Sequence, residues 1–219
     1  MKRRRLSPEL KREFFSLPNI LTYLRIAAIP FVIFVLMLSE EKVTGSREAS
    51  QWLCFVALLL FSAAAVTDYF DGYLARTRNM STLVGKFIDP VADKLLVLAT
   101  LITLVELHRV AAWIVVLILL REMSINTLRT LALAERLPAI HVISAGKWKT
   151  AFQLCGIMGL ILHYPQKIPL LPDPINFNAI GQALIVISLL FSFTSAGSYF
   201  KGFVESIKIK YSEEYEDDE

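Results

Sequence analysis

Six apolar runs, at about 20–38, 52–75, 84–106, 110–133, 148–164 and 178–200, leave this chain of 219 residues few possible folds. A helix crosses the ~30 Å hydrocarbon core of a bilayer with roughly 20 mostly apolar residues. In lipid, every backbone N–H and C=O must be paired, so isolated runs of this length are expected as helices. The chain is 55% hydrophobic, high for a soluble domain of this size. The sequence therefore predicts an all-α, polytopic integral membrane protein with six transmembrane helices. The first run follows MKRRR, as the apolar part of a signal peptide would. No small-residue cleavage site follows IPFVIFVLML, so this run is expected to stay as the first span.

Six spans put both termini on one side, and the basic residues say which. Lys2, Arg3, Arg4, Arg5, Lys11 and Arg12 precede the first span. Arg76, Arg78 and Lys86 border the second loop, and Arg136, Lys147 and Lys149 the fourth. The alternate loops hold only Lys42 and Arg47, then Arg109, then Lys167. By the positive-inside rule both termini and the second and fourth loops are cytoplasmic, with the cell (inner) membrane as the expected location. The net charge of +3 is thus a topology signal, and its dispersal between spans argues against nucleic-acid binding.

The expected organisation is a basic N-terminal segment (1–17), one six-helix membrane domain (18–203) and a cytoplasmic acidic tail (204–219). The stretch KREFFSLPNILTYLR fits either an interfacial amphipathic helix or an ordinary juxtamembrane linker. The tail YSEEYEDDE reads as disordered. Cys54 and Cys155 lie in apolar runs without metal-ligand spacing and are expected as small core residues. His108, His141 and His163 are scattered near span ends, and no catalytic role is expected for them.

Between the second and third runs stands DYFDGYLARTRNMSTLVGKFIDPVADK, residues 68–94. Asp68, Asp71, Gly72 and Ala75 fall at i, i+3, i+4 and i+7, one face of a helix, with Arg76 beside it. Gly85, Asp89 and Asp93 fall at i, i+4 and i+8, again one face. The small residues allow two helices, or a helix and a ligand, to approach closely. Two such faces set opposite each other would gather four carboxylates that repel and resist ionisation. A divalent cation resolves that conflict, and all-oxygen ligands suit Mg²⁺, Mn²⁺ or Ca²⁺. Charges this costly in hydrocarbon are expected to face a polar cavity near the cytoplasmic ends of spans two and three.

The full string, D-x2-D-G-x2-A-R-x8-G-x3-D-x3-D, resembles the signature of the CDP-alcohol phosphatidyltransferase family at every element. The resemblance implies six helices around a cytoplasm-facing polar cavity open to lipid, in a homodimer. It implies Mg²⁺ or Mn²⁺ held by Asp68, Asp71 and Asp89, with Asp93 at a second metal position and acting as general base. It also implies that Asp68, Gly72, Ala75, Arg76 and Gly85 form the site for a CDP-activated lipid, CDP-diacylglycerol, with Thr82 as a further contact.

The acceptor alcohol must be read elsewhere. PNILTYLRIAAIP (18–30), REMSINTLRTLALAE (121–135) and SAGKWKTAFQ (144–153) together resemble the branch of that family that uses sn-glycerol 3-phosphate. Independently, Arg121, Lys147 and Lys149 are cations placed to hold an acceptor phosphate. Thr22, Arg25 and Arg129 are further candidates. Arg121 could instead pair with Glu122, and Lys147 and Lys149 could serve only as topology anchors. The expected reaction gives phosphatidylglycerophosphate and CMP, in phospholipid biosynthesis. Inositol phosphate, serine or phosphatidylglycerol as acceptor remain alternatives, as does a membrane cation transporter, since intramembrane carboxylates can mark ion paths.

Overall fold

The computed structural model describes residues 17–77, 83–135, 137, 145–165 and 174–217. Its elements are helices: α1 (Leu17–Leu38), the single turn α2 (Glu41–Thr44), α3 (Arg47–Thr77), α4 (Leu83–Glu106), α5 (Ala112–Ala134), α6 (Ala145–Leu162) and α7 (Phe177–Asp217). Each of the six apolar runs falls on one of the six long helices. Among the described residues, Arg47–Thr67 and Phe177–Lys210 are long and apolar enough to cross a bilayer, and Thr22–Leu38 and Trp148–Leu162 are shorter apolar stretches. Large apolar side chains face outward: Phe31 and Phe34 on α1, Leu59 on α3, Ile102 on α4, Leu120 on α5, Leu190 and Phe193 on α7. Such surfaces suit lipid rather than water.

The chain forms two compact units. The first runs to Arg109 and includes Ile161–Ile175. Here α1 packs against both α3 and α4. Cys54, Ala57, Phe61 and Ala64 recur every three or four residues along α3 and are all buried, meeting a core that includes Val32 and Leu36 of α1 and Leu96, Leu101 and Leu104 of α4. The alanines keep the helices close.

One end of this unit is fastened by Arg109, which follows α4 and is 2% exposed. Its Nη2 donates to Ser39 Oγ at 2.9 Å, and its Nη1 to Ile161 O at 2.9 Å and to Cys54 Sγ at 3.5 Å. One guanidinium thus joins the ends of α1 and α6 to the early part of α3. The turn that delivers it is specific. His108 adopts a left-handed φ of 54°, its N–H donates to Val105 O at 2.9 Å, and the Arg109 N–H donates to Leu104 O at 2.9 Å. That pair of bonds is a Schellman ending. His163 takes a similar left-handed φ of 49° just after α6.

The second unit comprises Val110–Leu160 and Asn176–Glu219. In it α5 packs on α7. Helices α6 and α7 meet at glycines. A Cβ on Gly181 would lie 2.6 Å from Leu160 N and 2.8 Å from Gly156 O, and one on Gly159 would lie 2.9 Å from Gly181 Cα. Backbone meets backbone here, which only glycine permits.

Two expectations are corrected. Cys54 is buried, but Cys155 is exposed. It lies on the α6 face opposite Gln153, which is turned inward. The acidic tail is not without regular structure, because α7 continues to Asp217. Extending an existing helix adds a hydrogen bond per residue without a new nucleation cost, and Lys, Glu and Ser oppose this little. The extension is also tied down: Lys210 Nζ donates to Glu135 Oε2 at 2.9 Å and Glu135 O at 3.1 Å, at the end of α5.

Candidate active site

The signature occupies the end of α3 and the start of α4. Asp68, Asp71, Gly72, Ala75 and Arg76 are in the last three turns of α3, and Gly85, Asp89 and Asp93 in the first three of α4. Their backbones are helical, as the spacing predicted, so Asp68 and Asp71 are separated by about 4.5 Å of rise and Asp89 and Asp93 by about 6 Å. The side chains of these eight residues, and Thr82 altogether, lie outside the described residues, as does the N-terminal segment through Ser16. Chain direction fixes their place in the unit. Cys54 touches the Arg109 clamp near the start of α3, and Asp68 is 14 residues further along, about 21 Å away. The signature is therefore at the opposite end of the first unit from Arg109.

Helix α1 enters at the signature end and runs toward the clamp. Its first turns carry Asn19, Thr22 and Arg25 at i, i+3 and i+6, all buried. Three buried polar groups on one face of an otherwise apolar helix require polar surroundings. Thr22 and Arg25 were candidate site residues by sequence. Asn19 belongs to the same face and was missed, although its spacing to Thr22 was legible.

In the second unit, α5, α6 and α7 bring several polar groups together. Arg121 Nε donates to Ser192 O on α7 at 3.0 Å. Arg121 Nη1 lies 3.5 Å from Glu122 Oε1, and the same oxygen is contacted by Lys149 Nζ from α6. Arg121 and Lys149, 28 residues apart, thus converge on one carboxylate. Gln153, one turn beyond Lys149, is also buried, and the buried Ser192 Oγ has no hydrogen-bond partner among the described residues. Arg129 departs from this group: its guanidinium stacks over the Tyr199 ring, 5.6 Å from the centroid. The Lys147 side chain lies outside the described residues.

Residues 15–194 match the sequence profile described as CDP-alcohol phosphatidyltransferase. The chain belongs to this family. Among relatives of the phosphatidyltransferase, the CDP-diacylglycerol–glycerol-3-phosphate 3-phosphatidyltransferase of Bacillus subtilis is 35% identical over 196 residues, covering 89% of this chain and 98% of its own. The Haemophilus influenzae protein of the same name is 38% identical over 155 residues, covering 68% and 77%. A cardiolipin synthase (CMP-forming) of Oryza sativa is 35% identical over 170 residues, covering 72% of this chain and 49% of its own.

Members of this family use a divalent metal ion. In this phosphatidyltransferase the donor set fits one. Asp68 and Asp71 near the end of α3, and Asp89 and Asp93 near the start of α4, are the hard oxygen-donor residue types that such an ion takes.

Proposed function

We propose that the chain transfers the phosphatidyl group of CDP-diacylglycerol to sn-glycerol 3-phosphate, giving phosphatidylglycerophosphate and CMP. The observation that carries a phosphorylated acceptor is the convergence of Arg121 and Lys149 on one carboxylate oxygen. A phosphomonoester dianion suits two cations better than the single negative charge of serine's carboxylate or of phosphatidylglycerol's phosphodiester. The names of the bacterial relatives support the same reading.

In this reading Asp68, Asp71, Asp89 and Asp93 hold Mg²⁺ or Mn²⁺. The bound ion supplies charge neutralisation at the pyrophosphate of the donor. Asp68, Gly72, Ala75, Arg76, Thr82 and Gly85 form the CDP-lipid site, the small residues giving room and Arg76 pairing with a phosphate. Arg121, Lys147 and Lys149 hold the acceptor phosphate, and Asp93 takes the proton from the attacking hydroxyl. Thr22 and Arg25 line the α1 side. The six long helices form one membrane domain, residues 18–203, crossing the cell membrane six times as a homodimer. Both termini and the site face the cytoplasm, following the basic residues of the loops.

The test is an acceptor panel. Purified protein with CDP-diacylglycerol and Mn²⁺ is offered glycerol 3-phosphate, inositol phosphate, serine and phosphatidylglycerol, and CMP release is measured. Release with glycerol 3-phosphate alone is expected. Release with another acceptor and none with glycerol 3-phosphate overturns the reading.

A further inference from the structure

The Arg121–Glu122–Lys149 cluster holds an anion already. Glu122 Oε1 contacts Lys149 Nζ and lies 3.5 Å from Arg121 Nη1, so one carboxylate oxygen sits where a phosphate oxygen would meet both cations. The side chains of Arg121 and Lys149 are 9% exposed, and that of Glu122 is 26% exposed. Glu122 is therefore the most exposed of the three side chains. Arg121 is further fixed by its bond to Ser192 O, whereas Glu122 reaches the cluster on a flexible side chain. These three side chains together carry one net positive charge. A dianion entering beside Glu122 would meet like charge, and one replacing it would meet two cations.

We infer that Glu122 is an exchangeable counter-anion of the acceptor site, a positioning residue that acts through Lys149. This rests on the reading of Arg121 and Lys149 as the acceptor-phosphate cations. At rest the carboxylate offsets part of the charge of two largely buried cations. The phosphate of the acceptor displaces it, and Glu122 turns outward to water. After transfer, the product still carries that phosphate. The returning carboxylate competes for Lys149 and helps the product leave. Glu122 thus weakens ground-state binding of the acceptor and speeds turnover.

The experiment compares Glu122→Gln, Glu122→Asp and Lys149→Met in detergent–lipid micelles, following CMP release. It measures KM for glycerol 3-phosphate, kcat, and the inhibition constant of inorganic phosphate. In Glu122→Gln the KM and the phosphate inhibition constant fall by roughly three- to tenfold, the size of one altered charge-assisted contact, and kcat falls with them. The KM for CDP-diacylglycerol stays constant. Glu122→Asp, whose carboxylate is one methylene further from Lys149, shifts the same constants in the same direction by less, and it carries the test alone where the Gln variant does not fold. Unchanged or raised KM and inhibition constants in a folded Glu122 variant overturn the inference. Lys149→Met separates the two levels. A raised acceptor KM there keeps the acceptor reading even when Glu122 fails its test, and an unchanged one overturns both.

Discussion

Arg109 Nη2 donates to Ser39 Oγ at 2.9 Å, joining residues 70 positions apart at the end of the molecule's first unit opposite the signature. The same guanidinium reaches Ile161 O at 2.9 Å, a carbonyl in the last turn of α6. Helix ends leave such carbonyls without helical donors, and they carry partial negative charge that a cation offsets.

Replacing Arg109 by Met is therefore expected to lower stability by about 2–4 kcal/mol, since a buried carbonyl loses its donor and the guanidinium leaves a cavity. Chemical unfolding in detergent, followed by circular dichroism, measures this. The KM values at low temperature are expected to stay near wild type, because the signature lies about 21 Å away.

The crossing of α6 and α7 gives a paired expectation. Gly181→Ala places a methyl 2.6 Å from Leu160 N, so the helices must separate. Overpacking of this kind costs about 1–3 kcal/mol. Gly197→Ala, on the same helix with nothing within 4 Å of the added carbon, is expected to be neutral or to stabilise by up to about 1 kcal/mol. Thermal unfolding of the two proteins side by side checks the contrast, and equal midpoints would refute the close contact.

Asp93→Asn keeps the size of the side chain and removes its basicity. Loss of a general base lowers kcat by roughly 10²–10⁴-fold. Binding of CDP-diacylglycerol, measured by calorimetry with Mn²⁺ present, is expected to persist in part. Wild-type turnover in this variant would exclude Asp93 as the proton acceptor.

Arg121→Lys retains the charge but cannot keep the Nε bond to Ser192 O while reaching Glu122. The KM for glycerol 3-phosphate is expected to rise by about tenfold or more, with that for CDP-diacylglycerol unchanged. Steady-state kinetics varying one substrate at a time makes the comparison. An equal rise in both constants would point to general damage rather than a lost phosphate contact.

The residues that sequence reading found are those whose signal is local. Runs of apolar residues matched the helices α1 and α3–α7 because the backbone hydrogen bonds of a helix are made within its own segment. The spacing of Asp68 with Asp71, and of Gly85, Asp89 and Asp93, was legible because helix geometry repeats over a few residues. Arg109 was read as a loop charge, since its partners Ser39, Cys54 and Ile161 are 52 to 70 positions away. Gly156, Gly159 and Gly181 carried no signal that they meet each other, because a glycine's neighbour in space leaves no mark on its own segment. Glu122 was weighed only as a partner for Arg121, and its contact with Lys149 depends on how α6 packs. The continuation of α7 past the apolar run was missed because a charged composition says little about whether a helix already under way will stop.

That continuation fixes a length. The 41 residues of α7 form one helix about 60 Å long, twice the ~30 Å thickness of hydrocarbon. A rod that long cannot be hidden by tilting alone, so its far end stands clear of the lipid as a stiff mast. Where α7 crosses a bilayer, its last turns therefore reach past the headgroup layer, to a height set by helical pitch.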